Sequence, residues 1–176
     1  EFSVGRGFLV TQSASSVMPK GPKTIGLHAD SSWLPAPFPA HNTLLTACWT
    51  CDGYTKEGGA TLVIPGSGNL RRHPNAGEAE AMAGAIAIEG PPGSIAMWDG
   101  NVWHANWPRQ IDDERVVCHV AYTRLMMRPV EDYSAYADDL IAQHGEGMSQ
   151  LLGREDFLYS PTGFDPSKRI ATVNNA

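Results

Sequence analysis

The sequence predicts a mainly β fold, a sandwich or barrel with a C-terminal helix. Short runs of β-branched and aromatic residues recur about every 8–12 residues, with turn signals between them. Gly and Pro are abundant, 18 and 13 of 176 residues, which suits many strands joined by turns. Helical spacing emerges only after Pro129. Within this class a double-stranded β-helix, or jelly roll, stacks two sheets and leaves a cavity at one end.

Taken in order, residues 4–11 read as a first strand. Residues 13–23 are polar and turn-rich, a loop. Residues 24–30 form a short strand. Residues 33–39, Trp-Leu-Pro-Ala-Pro-Phe-Pro, make a connector that proline bars from a central strand. It is either a lid over a site or a packed loop, and its aromatics are candidates for an apolar substrate wall. Residues 43–51 are the next strand, followed by a turn at Asp52-Gly53. The strand at 60–64 is stopped by Pro65-Gly66, and 69–81 is a polar segment. Strands follow at 84–88 and 94–98. Asp99-Gly100 is a hairpin signal, with residues 102–104 as the returning strand. Residues 115–123 are a long strand rich in β-branched side chains. Tyr133, Tyr136, Ala137, Leu140 and Ile141 then recur at helical spacing, with Glu131 and Asp132 placed in the first turn, where the dipole favours acids. The tail from Ser160 is polar and irregular.

Composition narrows the function. The formal net charge is −6, so the basic footprint needed for nucleic acid or an anionic membrane is missing. No apolar run reaches the roughly 18 residues of a membrane span. Three cysteines, an odd number, argue against a disulfide framework and for a reducing compartment, so the expected location is cytoplasmic. Cys48 and Cys51 have redox or zinc spacing, but on a strand positions three apart face opposite ways. They read as ordinary strand cysteines. The length fits one domain over 1–176, and the start at Glu1 looks like mid-structure, so N-terminal residues of the full chain are expected to be missing. The expected partner is a small-molecule substrate; oligomeric state is open.

The chemistry gathers at Leu27-His28-Ala29-Asp30 and His104. On an extended segment His28 and Asp30 point to one face. A second imidazole from a distant strand completes two His and one carboxylate on one side of a metal. That set is the facial triad of non-haem Fe(II) oxygenases, which leaves positions open for cosubstrate and O2.

Several motifs together resemble the phytanoyl-CoA dioxygenase family of Fe(II)/2-oxoglutarate-dependent oxygenases. They are His28-Ala29-Asp30, Gly58-Gly59-Ala60-Thr61-Leu62-Val63-Ile64-Pro65-Gly66-Ser67, Trp98-Asp99-Gly100-Asn101-Val102-Trp103-His104, and Arg115. The resemblance runs from about Thr24 to Arg128 and implies a double-stranded β-helix, cupin-like. It implies Fe(II) on His28, Asp30 and His104, with 2-oxoglutarate as cosubstrate. The activity implied is oxidation of an aliphatic C–H bond, coupled to release of succinate and CO2. Arg115, eleven residues after His104, stands where the family places the arginine for the far carboxylate of 2-oxoglutarate; its alternative is a surface ion pair with Asp112, Asp113 or Glu114. Trp49 matches a tryptophan that lines the cosubstrate pocket in some members, with core packing as the alternative. Asn106 matches a small polar residue near the cosubstrate, with a plain loop role as the alternative. Gly68 departs from the family's usual histidine after Pro-Gly-Ser. An intact Asp30 disfavours the halogenase variant of this chemistry.

Of the other histidines, His41, His73 and His119 have no carboxylate two residues away, and His119 reads as a packed or hydrogen-bonded strand residue. Two rivals stay in view. One is a non-catalytic cupin-like binding module. The other is a different metal enzyme on the same barrel, such as an isomerase, which needs no Arg115.

Overall fold

Two antiparallel sheets enclose the site. The computed structural model describes residues 3–5 and 7–154, and the backbone of 159–160 and 163–164. Its strands are β1 (Leu9–Met18), β2 (Leu44–Thr50), β3 (Thr61–Val63), β4 (Ile86–Ala87), β5 (Ile95–Asp99), β6 (His104–Asn106) and β7 (Arg115–Thr123). The larger sheet has the order β1-β7-β2-β5 and the smaller one β4-β3-β6. A final pair, β8 (Tyr159–Ser160) and β9 (Gly163–Phe164), stands apart. The helices are α1 (Ala76–Ala81), α2 (Ala137–His144) and α3 (Glu146–Leu151).

Side-chain alternation decides what faces the interior. Register pairs Thr46 with Trp98 and Ala121, and Cys48 with Ala96 and His119. Cys48, Ala96, Trp98 and Val117 are buried together with Tyr54 and Ala60, which lead into β3. A second apolar cluster joins Leu27, Ala29, Phe38, Leu62, Trp103 and Ala105. Leu62 and Ala105 pair across β3 and β6, one residue out of phase with His104, so this cluster covers the outer side of the smaller sheet.

Several elements differ from expectation. Residues 13–18 are strand, not loop, because β1 runs on to Met18 and pairs with β7 as far as Met18↔Arg115. The segment is polar because this edge strand is largely exposed; backbone pairing to the long β7, not burial, orders it. Residues 24–30 form no strand, only a bridge in which His28 and His104 exchange backbone hydrogen bonds at 3.0 and 2.8 Å. The turn at Asp99-Gly100 exists, with Val102 N–H donating to the Asp99 carbonyl at 3.0 Å. It is not a hairpin, since β5 joins the larger sheet and β6 the smaller. Gly100 is held against the start of β2, donating to the Leu44 carbonyl at 2.7 Å; a Cβ there would lie 3.0 Å from that same oxygen.

The polar 69–81 segment contains α1, started by an Asn75–Glu78 capping box. The C-terminal helix begins at Ala137, with Asp138 and Asp139 in its first turn. Glu131 lies before it and accepts hydrogen bonds from Ser13 N–H at 3.0 Å and Tyr133 Oη at 2.6 Å. That capture by β1 ends the helical register seen in the sequence. Beyond the β8–β9 pair, the tail from Ser160 lies outside the described residues.

Candidate metal centre

His28, Asp30 and His104 converge as the sequence predicts. Their ligand atoms lie within 4.8 Å of one another. Asp30 Oδ1 is 3.5 Å from His28 Nε2 and 3.4 Å from His104 Nε2. Each imidazole is oriented from behind. His28 Nδ1 is 2.7 Å from the Gly26 carbonyl, and His104 Nδ1 is 3.1 Å from the Val102 carbonyl. A carbonyl only accepts, so both Nδ1 atoms carry the proton and both Nε2 lone pairs are free for a metal. Asp30 is divided in the same way. Its Oδ2 accepts from Thr46 Oγ1 at 2.8 Å and from Trp98 Nε1 at 3.2 Å, which leaves Oδ1 for the centre.

The electrostatics follow. Burial works to raise the Asp30 pKa, but the His28 hydrogen bond, the nearby His104 charge and the Thr46 hydroxyl outweigh it and hold it at about 2. The carboxylate is ionised at neutral pH. The hydrogen bond to Asp30 pushes His28 up, whereas burial pushes His104 down. A dication takes the place that protons would otherwise hold between these groups. Two oriented imidazoles and one free carboxylate oxygen, all on one side, fit a divalent first-row metal such as Fe(II).

A second polar feature lies on the larger sheet. Arg115 is 3% exposed, at the start of β7. It makes no ion pair among the described residues. The neighbouring acids are taken elsewhere: Asp113 pairs with Arg109 and Asp112 with Lys20. Arg115 Nη1 donates to the Gly59 carbonyl, and its guanidinium lies 4.9 Å from the centroid of the Tyr54 ring. Its Nε is buried with no partner among the described residues. A buried cation lacking an acid costs free energy unless an anion arrives. A carboxylate from a ligand fits, since guanidinium grips carboxylate through two parallel hydrogen bonds.

Other expected residues are placed differently. Trp49 lies on β2, out of phase with Thr46 and Cys48, so alternation turns it to the outer face of the larger sheet, away from Arg115. Asn106 shares the face of His104, but its amide ties down the segment that carries His28. Its Oδ1 accepts from Ile25 N–H at 2.7 Å and its Nδ2 donates to the Trp107 carbonyl at 3.0 Å. The 33–39 connector is a packed loop. Phe38 is buried with Leu27 and Ala29, on the opposite side of the His28 segment from its ligands, and Trp33 is exposed. Cys48 is buried and Cys51 exposed, so the two thiols diverge as expected.

Sequence reasoning missed Thr46, Trp98 and Tyr54. Thr46 and Trp98 lay on expected strands, and their equal parity with Cys48 and Ala96 was the available signal. Tyr54 had none, because it reaches Arg115 from a loop.

A family model for phytanoyl-CoA dioxygenase (PhyH) matches residues 4–115, more than half the chain. The chain belongs to this family of Fe(II)/2-oxoglutarate-dependent oxygenases. The phytanoyl-CoA dioxygenase family match takes in His28, Asp30, His104 and Arg115. Dioxygenase af480 of Aspergillus fumigatus is 31% identical over 134 residues, 75% of this chain and 43% of its own. Protein Rv1501 of Mycobacterium tuberculosis is 28% identical over 127 residues, 68% of this chain and 44% of its own. The chain thus spans less than half the length of these curated relatives. In fold it is similar to EctD from S. alaskensis, with a TM-score of 0.56 at 20% identity over 73% of this chain and 50% of that one. It is also similar to SnoN, a non-heme alpha-ketoglutarate-dependent epimerase from nogalamycin biosynthesis. That TM-score is 0.55 at 18% identity, over 74% of this chain and 53% of that one. These likenesses show the fold, a cupin-like double-stranded β-helix.

Proposed function

We propose that this chain is the metal- and cosubstrate-binding core of an Fe(II)/2-oxoglutarate-dependent dioxygenase. It hydroxylates an aliphatic C–H bond of a small molecule and releases succinate and CO2. One pairing carries this reading: a two-His, one-carboxylate cluster, and a buried arginine with no ion-pair partner among the described residues on the same face of the larger sheet as Thr46 and Trp98, which hold Asp30. Bound iron supplies the oxygen activation that no side chain provides. His28, Asp30 and His104 hold it from one side. Arg115 takes the far carboxylate of 2-oxoglutarate, with Tyr54 beneath and the Gly59 carbonyl fixing its direction. Thr46 and Trp98 keep Asp30 turned, and the Thr46 hydroxyl helps keep it ionised. The His28 side chain is 35% exposed, so the centre is open to a substrate on that side.

A non-catalytic binding module has no use for a buried cation that awaits a diacid. The three described cysteines are free, which fits a reducing compartment such as the cytoplasm. Among the described residues no helix is long and apolar enough to cross a membrane.

The test is anaerobic titration of Fe(II)-loaded protein with 2-oxoglutarate. A visible metal-to-ligand charge-transfer band is expected, with at least tenfold weaker 2-oxoglutarate binding in Arg115→Ala. Iron binding without the band, in the intact protein, would sink the proposal. Once a substrate is in hand, a product with one added oxygen distinguishes hydroxylation from the epimerisation known for SnoN.

A further inference from the structure

The same face of the larger sheet presents one more polar group. The rows across it follow from register. Arg115 sits opposite Met18, Val117 opposite Thr50, His119 opposite Cys48, and Ala121 opposite Thr46. Alternate residues of one strand share a face, so Arg115, Val117, His119 and Ala121 all look inward. Thr46 and its neighbour Trp98 hold Asp30. The row of His119 therefore lies between the cation and the row that supports the metal ligands. Anything that reaches from Arg115 to the centre passes over Val117 and then His119.

His119 is placed for contact. Its ring meets Trp98 edge-on, with centroids 6.2 Å apart, and the Trp98 ring lies tilted 5.0 Å from that of His104. Neither ring nitrogen of His119 makes a hydrogen bond among the described residues. Burial, and then the Arg115 charge, keep the ring neutral, so it has one N–H to donate. The half-buried His119 ring thus differs from His28 and His104, whose Nδ1 atoms are each held by a backbone carbonyl, and its nitrogens are left for a ligand.

We infer that His119 contacts the cosubstrate: its ring N–H donates to the metal-chelating carboxylate of 2-oxoglutarate, the end opposite Arg115. This rests on the 2-oxoglutarate reading above. Arg115 and His119 then grip the two ends of one diacid from one strand.

The experiment compares the native chain with His119→Phe and His119→Gln. Phenylalanine keeps the aromatic edge against Trp98 and removes the donor; glutamine keeps an N–H at similar reach. Each protein is loaded with Fe(II) and titrated anaerobically with 2-oxoglutarate. Mn(II) affinity is measured separately to report on the triad. The expected result is at least tenfold weaker 2-oxoglutarate binding and a displaced band in His119→Phe. Binding within about threefold of native is expected in His119→Gln, and Mn(II) affinity is unchanged in both. Should His119→Phe not fold, His119→Ala takes its place in the comparison. Unchanged 2-oxoglutarate binding in the donor-less variant overturns the inference, even where turnover falls, because His119 would then serve the primary substrate. Equal losses in both variants overturn it too, since a packing role does not distinguish them. If the native protein itself gives no band and no binding, the oxygenase reading fails and this inference goes with it.

Discussion

Asp30 shows how much of a metal centre is made by residues that never touch the metal. Its carboxylate has two oxygens with different duties, and Trp98 Nε1 and Thr46 Oγ1 decide which is which. Removing the indole donor frees the carboxylate to rotate. Trp98→Phe is expected to weaken Mn(II) or Fe(II) affinity by about 10–100-fold, the usual cost of losing an outer partner. Titration with the metal alone checks this, and native affinity would show that Thr46 suffices. Tyr54 makes a second residue-level case. Burial, reinforced by the nearby Cys48, pushes its pKa up to about 12, against 10 for a free phenol. A folded-state pKa above the unfolded one gives stability that is complete below pH 10 and is lost as pH rises towards 12. Two units correspond to about 2–3 kcal/mol. The melting temperature of the native chain should therefore fall more steeply between pH 9.5 and about 12 than that of Tyr54→Phe. Parallel curves would contradict the assignment.

At the level of elements, the cation depends on a glycine. Gly59 has φ +78°, and a Cβ there would sit 2.8 Å from Met18 Sδ and 3.1 Å from the Trp107 carbonyl. Only glycine lets the loop before β3 pass between β1 and the end of β6 while turning its carbonyl to Arg115. Gly59→Ala is expected to destabilise the fold by about 1–3 kcal/mol. It should also weaken 2-oxoglutarate binding more than metal binding, because His28, Asp30 and His104 are held by other segments. Unfolding midpoints and the two titrations separate these effects. Strand identity was legible where β-branched residues cluster, as in β2, β3, β5 and β7. It was not legible in residues 13–18, where an exposed edge strand is ordered by its partner's backbone and leaves no apolar pattern. The helix start was hidden for a similar reason. A contact with Ser13, more than a hundred residues away, takes Glu131 out of the helix.

Across the whole molecule, the centre is the meeting of two sheets. The larger contributes Thr46, Trp98, Arg115 and His119; the smaller contributes His104 and, by its bridge, His28. The convergence of His28, Asp30 and His104 was readable because only Ala29 separates the first two and because the surrounding motifs keep their order. The place of Arg115 at the start of β7 was readable from its offset after His104. Trp49 was not, because a one-residue change of phase on a strand exchanges inside for outside, and only register fixes the phase. The pairing Thr46↔Trp98 supplies it.

The turn at Asp99-Gly100 carries the chain from one sheet to the other within the few residues between Trp98 and His104. Chain length here does the work of a spacer. Trp98 is anchored to one wall and His104 to the other, so the count of residues between them sets whether the imidazole arrives facing the carboxylate. A single residue inserted after Asn101 would turn His104 to the apolar outer side or force β6 to slip against β3. The expected outcome is a chain that still shows a β circular-dichroism spectrum but binds neither Mn(II) nor Fe(II). Retained metal affinity would mean that the turn absorbs the extra length. The number of peptide bonds in this turn is therefore as much a part of the metal set as the side chains that form it.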